Sequence, residues 1–497
     1  MNRRPLLQAA AGLLLCALGY YFVRRESYEA HTVVASAGGC QMATDIYEPR
    51  SGSPVGSVVL FHGLAANKKV MSFSAQEFAN QDLRVFAPDF PGHGTTPGPF
   101  SPARAEFCAG AFLRDLISRK AIIPERTILA GHSLGGAIAV RVAAVVPVAG
   151  VIAISPAPMH IAPGFSAEML PFRDVPALPP HSLVLTGQWE PGPIKSLAQQ
   201  LVAAAPDSTS RYQLIAGTTH VSILFSSKAF AAMRSWMAQL LRTDPASPLP
   251  ANHPALGCVL GVIGLALLAP PFLREMTPLG KSPPSEAWVP KWTRTISALT
   301  AFSALAIILL RFAVPFRSLH LFQGDYLVSF LFLVGIAILV LFRKSLPSFA
   351  AFFAPSAAAA ALVVALLFAA WLGLTFYEAW LTPARWLRLP FLFLLFLPWH
   401  LAEELLLGEN PKSPNTLRVV KAFGLRSILW LGLLAGIYIL HSGQVLLVLL
   451  AAYFVVFSIL QRLACDLVRF RTQSSAAAAI FGAILFSAFA LAIFPIA

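Results

Sequence analysis

Gly131-His132-Ser133-Leu134-Gly135-Gly136 is the most informative motif in the first half of this chain. The apolar run Thr127 to Ala130 before it predicts a buried strand, and the stretch from Leu134 to Val145 predicts a helix. A serine between a strand and a helix needs small residues on both sides, because the turn is sharp and pushes the hydroxyl out above the sheet. The helix that begins there directs its positive end at the same place. We therefore predict that Ser133 is a nucleophile and that Gly131 and Gly135 permit the turn.

Short apolar runs alternate with helix-like stretches around this motif. The runs that predict strands are Val58–Phe61, Arg84–Ala87, Thr127–Ala130, Val151–Ile154 and Ser182–Leu185. The stretches that predict helices are Ser72–Asn80, Pro102–Ser118, Leu134–Val145 and Ile194–Ala205. Such alternation indicates βαβ units in a mostly parallel sheet. Upstream, Thr32 to Ala35 and Met42 to Tyr47, separated by Gly38-Gly39, predict an antiparallel hairpin.

Two further motifs follow the predicted strands that precede Ser133. They are His62-Gly63-Leu64 and Asp89-Phe90-Pro91-Gly92-His93-Gly94. Together with the serine motif they resemble the α/β-hydrolase superfamily, most closely its branch of monoacylglycerol lipases and serine-aminopeptidase-like hydrolases. The resemblance covers roughly residues 55 to 240 and implies an α/β-hydrolase domain, which we place at residues 30–243. It also implies that Asp89 and His93 fix a turn and that His62 shapes its loop.

The resemblance assigns the remaining catalytic roles. The oxyanion hole would be formed by the backbone N–H groups of Leu64 and Leu134. The family's chain order is serine, acid, histidine, so the base must follow the last strand, and His220 does so directly after the run Tyr212 to Ile215. A neutral imidazole there would take the serine proton and later return it to the leaving group.

The acid is assigned to Glu190, which follows the predicted strand Ser182 to Thr186. The family usually carries an aspartate at this place, and glutamate serves in some members. Asp174 and Asp207 remain as alternatives. The segment from Ala157 to Pro180 is where the family inserts a lid, and here it is short, apolar and rich in proline. It is either a cap over an apolar acyl group or an ordinary surface loop.

The composition of the whole chain indicates a membrane protein. Hydrophobic residues make up 57% and charged residues only 12%, against about 25% charged in soluble domains. The net charge of +14 does not point to nucleic acid, because the basic residues are scattered or flank apolar spans and no nucleic-acid motif is present. The 5 cysteines form no metal-binding or disulfide pattern. Cys40 to Cys108 is the one conceivable bridge.

The apolar spans divide the chain. Residues 1–25 predict an N-terminal transmembrane anchor, residues 244–254 a proline-rich linker, and residues 255–497 a membrane domain of about eight helices. The predicted spans are Leu256–Leu273, Ile296–Val314, Leu327–Phe342, Ala357–Tyr377, Leu389–Leu407, Ser427–Leu440, Val445–Leu460 and Ala476–Phe494.

Charge bias orients this layout. With a cytoplasmic N-terminus, the loops of the membrane domain carry 13 Lys or Arg inside and 4 outside, as the positive-inside rule requires. Arg24-Arg25 would lie outside and is the exception. We expect an integral protein of a bacterial inner membrane whose hydrolase domain is extracytoplasmic.

Charged residues in one predicted span stand out as well. Trp399-His400-Leu401-Ala402-Glu403-Glu404, with His441 farther on, is faintly similar to CAAX-prenyl-protease-like intramembrane proteins. It departs from their pattern because the arginine after the glutamate pair and a convincing second histidine motif are missing. The plainer interpretation is a solvated helix end, and a metal site of His400, Glu404 and His441 is left open.

The function expected from these patterns is that of a membrane-bound serine hydrolase. It would cleave a lipid or other acyl ester through an acyl-enzyme on Ser133, with His220 and Glu190 completing the triad. No cofactor and no metal is expected, and the partners are the ester substrate and membrane lipids. The alternatives are a peptidase or acyltransferase with the same triad, or a non-catalytic membrane scaffold or sensor. The oligomeric state is not indicated.

Overall fold

The computed structural model describes residues 4–23, 28–50, 52–157, 178–205, 208–249, 253–280, 291–314, 318–375, 377–408, 416–440 and 443–497. The chain divides into two compact units. The sheet unit comprises Tyr20–Cys258, Leu372–Glu378 and Pro495–Ala497. The helical unit comprises Met1–Gly19, Val259–Trp371 and Ala379–Phe494.

Eight strands form one sheet in the sheet unit. They are β1 (Ala30–Ala37), β2 (Cys40–Tyr47), β3 (Gly56–Phe61), β4 (Leu83–Pro88), β5 (Thr127–His132), β6 (Gly150–Ile154), β7 (Ser182–Gly187) and β8 (Arg211–Ile215). Their order is β1-β2-β4-β3-β5-β6-β7-β8. The pairs β1–β2 and β2–β4 are antiparallel, and all pairs from β4 to β8 are parallel. The mostly parallel sheet that the alternation predicts is therefore confirmed.

The central strands are buried on both faces. Every residue of β3, β5, β6 and β7 is buried, which is why these strands are continuous apolar runs rather than alternating ones. Because they are parallel, their carboxyl ends meet at one edge of the sheet, and the loops that follow them gather there.

The helices within the described residues alternate with these strands and then dominate the chain. They are α1 (Arg4–Val23), α2 (Ser72–Ala79), α3 (Pro102–Ser118), α4 (Leu134–Ala143), α5 (Gly192–Ala203), α6 (Ser227–Leu241), α7 (His253–Met276), α8 (Trp292–Phe312), α9 (Gly324–Leu341), α10 (Pro355–Thr375), α11 (Pro383–Trp386), α12 (Leu389–Leu406), α13 (Thr416–Tyr438), α14 (Val445–Leu449), α15 (Ala451–Thr472) and α16 (Ser475–Ile493). Capping fixes some of their starts. Ser101 accepts a hydrogen bond from the Arg104 N–H at 3.1 Å, with Pro102 at the first helical position of α3.

A disulfide joins the first hairpin to the helix behind it. The hairpin β1–β2 turns through Gly38 and Gly39, both with positive φ, as predicted. Cys40 at the start of β2 is bonded to Cys108 of α3, with the Cα atoms 5.7 Å apart. The one bridge that the sequence allows is thus present.

Nine helices among the described residues are long and apolar enough to cross a membrane: α1, α7, α8, α9, α10, α12, α13, α15 and α16. Small residues let some of them approach closely. A Cβ placed on Gly335 of α9 would lie 2.4 Å from the backbone nitrogen of Trp399 in α12. Eight of these helices follow residue 250, where about eight spans are predicted.

The predicted span limits are wrong at α13 and α15. Helix α13 begins at Thr416 rather than Ser427, and α15 continues to Thr472 rather than ending at Leu460. Charged residues in these helix ends break the apolar pattern that the prediction follows. Four of them are arginines that are buried and ion-paired: Arg418, Arg426, Arg462 and Arg469.

The glutamate pair of α12 belongs to this buried ion cluster and is not a solvated helix end, so that interpretation is wrong. Glu403 and Glu404 are each 1% exposed. Arg426 donates to both oxygens of Glu403 at 2.6 and 2.8 Å. Glu404 accepts from Arg418 at 3.0 Å and from Arg469 at 2.6 Å. The arginines come from α13 and α15, and a sequence pattern confined to α12 does not reveal them. His441 lies outside the described residues.

Candidate active site

Ser133 occupies the bend between β5 and α4. Its backbone has φ 53° and ψ −117°, a conformation that non-glycine residues adopt only where the surrounding structure imposes it. The Ser133 N–H donates to the Ile154 carbonyl at 2.9 Å, and the Ser133 carbonyl accepts from the Ala137 N–H at 3.1 Å. These bonds fix the bend between the neighbouring strand and the first turn of the helix.

The glycines of the motif are required by close backbone contacts. A Cβ on Gly131 would lie 2.3 Å from the carbonyl oxygen of Gly135, and a Cβ on Gly135 would lie 2.4 Å from that of Phe61. Both distances are far below van der Waals contact. Only residues without a side chain let β5, α4 and the end of β3 approach in this way.

His220 and Glu190 are brought together at the same edge of the sheet. Glu190 follows β7, and His220 follows β8 in the turn before the short 3-10 helix Ser222–Phe225. The Nδ1 atom of His220 lies 3.3 Å from Oε2 of Glu190. The carboxylate is buried and the imidazole is 18% exposed, so the histidine is the member of the pair that solvent or a substrate can reach.

Two further donors hold the buried carboxylate. Oε1 of Glu190 accepts from the Gly187 N–H at 2.8 Å and from the Ser155 hydroxyl. Burial alone would raise the pKa of Glu190, but the hydrogen bond and charge of His220, together with Ser155 and Gly187, outweigh burial and lower it. Glu190 therefore carries a negative charge at neutral pH. Ser155 follows β6 and was not found from the sequence.

His132 ties the bend to the loop that carries His220. Its Nε2 lies 2.8 Å from the His220 carbonyl oxygen, and the two rings are 4.8 Å apart between centroids. Because a carbonyl oxygen only accepts, Nε2 of His132 carries the proton. Burial, with a smaller contribution from His220, lowers the pKa of His132 to about 3. His132 is thus a neutral spacer beside Ser133.

The loop after β3 runs against Ser133 from the other side. A Cβ on Gly63 would lie 3.2 Å from the Cβ of Ser133 and 3.0 Å from Nδ1 of His132. Leu64 follows Gly63 in this loop, and Leu134 is the first residue of α4. The backbone N–H groups of Leu64 and Leu134 therefore belong to the two segments that flank Ser133.

The family described as alpha/beta hydrolase family matches residues 58–256. The match covers the parallel strands β3 to β8 and the bend at Ser133. This part of the chain has the α/β-hydrolase fold. In the following, the sheet unit is called the hydrolase-fold unit.

Curated relatives match over a short segment. Uncharacterized proteins of Mycobacterium tuberculosis and Mycobacterium bovis are each 36% identical over 90 residues, which is 18% of this chain and 24% of theirs. The chain thus aligns with about a quarter of the length of these relatives.

Solved structures are similar at low identity. An alpha-beta serine hydrolase homologue from Coxiella burnetii is 18% identical, with a TM-score of 0.34, over 43% of this chain and 96% of its own. A thermophilic carboxylesterase cloned from a metagenomic library is 17% identical, with a TM-score of 0.37, over 49% and 98%. An esterase of Pyrobaculum calidifontis is 16% identical, with a TM-score of 0.36, over 49% and 93%.

His62 links two loops of the hydrolase-fold unit. Its Nε2 accepts from the Phe90 N–H at 3.0 Å, so Nδ1 carries the proton and donates to the Gly63 carbonyl at 2.8 Å. Burial lowers the pKa of His62 to about 4. A neutral, fully engaged imidazole is a loop anchor here rather than a base.

Asp89 and His93 fix the turn after β4. Oδ2 of Asp89 accepts from the Thr95 N–H at 3.1 Å. Nε2 of His93 accepts from the Ala65 N–H at 3.4 Å, and its Nδ1 lies 3.2 Å from the Pro91 carbonyl oxygen. The turn is thereby connected to the loop that carries Leu64.

Several sequence predictions lie outside the described residues. Most of the lid segment between Ala157 and Pro180 does so, as do the alternative acids Asp174 and Asp207. Of the three candidate acids, Glu190 is the one whose contact with His220 is described.

Proposed function

We propose that this chain is a membrane-bound serine hydrolase that cleaves a carboxylic ester through Ser133, His220 and Glu190. The observation that carries the proposal is the positive-φ bend at Ser133, with the Glu190–His220 pair held against its neighbour His132. The loops that carry these residues follow parallel strands and lie at their carboxyl ends, which is where this fold holds a serine nucleophile and its partners.

The reaction follows from the roles that these groups can take. His220 removes the proton of the Ser133 hydroxyl as Oγ attacks the ester carbonyl carbon. The carbonyl oxygen becomes an oxyanion that accepts hydrogen bonds from the Leu64 and Leu134 N–H groups. His220 then gives its proton to the departing alkoxide, and the acyl group stays on Ser133.

Water completes the cycle. His220 takes a proton from a water molecule, whose oxygen attacks the acyl carbon and forms a second oxyanion in the same place. Return of the proton to Oγ of Ser133 releases the carboxylic acid and restores the enzyme. Throughout, the charged Glu190 fixes the Nδ1–H tautomer of His220 and stabilises the imidazolium.

An apolar acyl group is the proposed substrate class. The resemblance to monoacylglycerol lipases points to lipid or other acyl esters. Trp189, next to Glu190 on the same loop, is 68% exposed. An exposed indole beside the acid offers an apolar contact to an acyl chain or to the lipid–water interface.

The proposed location is a bacterial inner membrane with the hydrolase-fold unit on the extracytoplasmic side. Arg418, Arg426, Arg462 and Arg469 lie inside α13 and α15 and are buried, so they do not count as loop charges. Without these 4 of the 13 inner basic residues, 9 remain against 4 outer ones, and this bias still supports the orientation. The Cys40–Cys108 disulfide supports it independently, because such bridges persist in oxidising compartments. A reporter enzyme that works only in the periplasm should be active when it is inserted between Asp244 and Pro248, and one that works only in the cytoplasm should be inactive there. Activity of the cytoplasmic reporter would refute the orientation.

Fluorophosphonate labelling of the full-length protein in detergent tests the catalytic proposal. We expect the wild type to be labelled and Ser133→Ala not to be. Ser118→Ala, which removes an exposed serine at the end of α3, should be labelled like the wild type. A folded wild type that is not labelled would favour the scaffold or sensor instead.

The nature of the substrate is then tested with a panel of esters, lipids and aminoacyl amides. We expect Ser133-dependent turnover of apolar esters. Glu190→Gln should lower kcat sharply, by up to about 10⁴-fold as for an acid that fixes the tautomer, while the protein stays folded. Near-normal turnover of Glu190→Gln would reject Glu190 as the acid, and hydrolysis of amides alone would favour a peptidase.

A further inference from the structure

A short segment far along the chain packs into the hydrolase-fold unit. Leu372–Glu378, which begins in the last turn of α10 and ends before α11, belongs to this unit. The Tyr377 hydroxyl donates to the Ala65 carbonyl at 2.8 Å. The Lys68 ammonium donates to Oε1 of Glu378 at 2.6 Å. We call residues 372–378 the strap.

Both contacts of the strap fall on the loop that presents the Leu64 N–H. Ala65 directly follows Leu64 and has φ 58°, a left-handed conformation that is strained for a residue with a side chain. Its N–H donates to His93 on one side, and its carbonyl accepts from Tyr377 on the other. The two bonds hold the peptide planes on either side of Ala65, and the first of these planes directly follows the one that contains the Leu64 N–H.

Lys68 anchors the far end of the same loop. It begins the short 3-10 helix Lys68–Met71 and is 1% exposed. Its N–H donates to Oδ1 of Asp89 at 2.7 Å, and its ammonium donates to Oδ2 of Asp89 at 2.9 Å. A buried ammonium is stable only when it is paired, and Glu378 supplies the second carboxylate.

The charges at this anchor are closely coupled. Burial would lower the pKa of Lys68, but Asp89 and Glu378 outweigh it and raise the pKa. Burial and the charge of Asp89 raise the pKa of Glu378 to about 7, against the opposing effect of Lys68. The ammonium thus remains charged and holds the side chains of Asp89 and Glu378 in place, with Glu378 ionised mainly above pH 7.

We infer that Tyr377 and Glu378 are positioning residues that hold the Leu64 N–H in the oxyanion hole. The inference rests on the proposed function. In this proposal neither side chain touches the substrate. They act through Ala65 and Lys68 on a backbone donor, which must lie within about 3.1 Å of the developing oxyanion to be effective.

The order of the apolar helices is consistent with this role. Nine helices within the described residues can cross a membrane. One of them precedes the eight-stranded sheet, and five precede Tyr377 and Glu378 of the strap. Both numbers are odd. If every helix crosses, both segments emerge on the same side.

The C-terminal residues repeat the arrangement. Nine such helices precede Pro495–Ala497 in the described chain, and this segment also belongs to the hydrolase-fold unit. The Phe100 N–H donates to the Ile496 carbonyl at 2.6 Å, and the Ile496 N–H donates to the Gly92 carbonyl at 3.1 Å. It therefore binds the Asp89–Phe100 loop, to which the strap connects through Lys68.

Two nearly isosteric substitutions in the full-length protein test the inference. Tyr377→Phe removes only the hydroxyl that binds Ala65. Glu378→Gln, assayed above pH 7 where Glu378 is ionised, removes only the charge that faces Lys68. The matched controls are Tyr28→Phe and Glu77→Gln, since Tyr28 donates to Asn80 at 3.2 Å and Glu77 pairs with Arg234 at 3.1 Å, away from the loop.

The readout is kcat and KM on a p-nitrophenyl ester that the wild type hydrolyses through Ser133. A shifted oxyanion donor weakens the binding of the transition state but not the binding of the substrate. We therefore expect kcat to fall by about 10-fold or more, while KM stays within about 2-fold. The control variants should keep both constants. Equal kcat values for the wild type and both strap variants would overturn the inference, as would a change in KM alone.

A second measurement separates positioning from loss of fold. An alkyl boronic acid forms a tetrahedral adduct with a serine and places an oxygen in the oxyanion hole as the transition state does, whereas the product acid forms no such adduct. Its affinity for the strap variants should fall by the same factor as kcat. If affinity for both compounds falls equally, the strap has only a structural role. If the wild type shows no Ser133-dependent labelling, the proposed function itself fails.

Discussion

Removal of the Ser155 hydroxyl should impair the enzyme through Glu190. The Ser155→Ala variant keeps the Cβ atom, so the backbone φ of 46° at this residue meets no new strain. It takes from Oε1 of Glu190 one of its two described donors and leaves the Gly187 N–H at 2.8 Å. The buried carboxylate then has less compensation for its lost hydration.

The expected magnitude follows from the strength of a hydrogen bond to a charged group, about 1.5–3 kcal/mol. If all of it were lost from the transition state, kcat would fall by roughly 10- to 150-fold. Because Gly187 and His220 still hold the carboxylate, we expect a loss near the lower end, about 10-fold. The pKa of Glu190 should rise, which moves the acidic limb of the pH–rate profile to higher pH.

The assay is ester hydrolysis by the full-length protein in detergent, from pH 5 to 9. Ser182→Ala is the matched control. It removes another buried hydroxyl of the same sheet, which donates to the Pro179 carbonyl at 2.6 Å and has a neutral acceptor away from Glu190. A Ser155→Ala variant with kcat and an acidic limb equal to those of Ser182→Ala would refute the role of Ser155.

Three other perturbations have defined outcomes. Gly135→Ala should abolish labelling of Ser133, because its Cβ would lie 2.4 Å from a backbone oxygen; normal labelling would contradict the geometry of the bend. Replacing both Cys40 and Cys108 by alanine, which opens a loop with a sequence separation of 68, should lower the free energy of unfolding by about 4 kcal/mol, and an unchanged denaturation midpoint would argue against the bridge. The folded protein raises the pKa of Glu378 from 4.5 to about 7, so the stability that this group contributes is complete below pH 4.5 and is lost as the pH rises through 7. The Tm difference between the wild type and Glu378→Gln should therefore change with pH between 4.5 and 7. A Tm difference that stays constant over this range would reject the raised pKa.

Most features of the hydrolase-fold unit that can be predicted from the sequence depend on residues close together in the chain. The bend at Ser133 is predictable because Gly131 and Gly135 are needed on either side of it and lie in one short motif. Glu190 and His220 are predictable as candidates because each follows a run of apolar residues, and parallel strands bring their carboxyl ends to one edge. These inferences need only spacing and chain order.

Contacts between distant residues could not be predicted in this way. Ser155 follows β6 as an ordinary serine, and only the fold places its hydroxyl against Glu190. Tyr377 and Glu378 lie more than 300 residues from their partners Ala65 and Lys68, at separations of 312 and 310. The ion cluster around Glu403 could not be predicted for the same reason, since its arginines come from other helices.

Trapping of the acyl-enzyme determines whether Ser133 is the nucleophile. The purified protein is mixed with an apolar p-nitrophenyl ester, quenched in acid during turnover and digested with trypsin, which releases the peptide Thr127–Arg141. We expect this peptide to gain the mass of the acyl group on Ser133. The Ser133→Ala variant should not hydrolyse the ester, and its peptide should not gain this mass. Steady turnover with the acyl group on another residue, or with turnover preserved in Ser133→Ala, would contradict it.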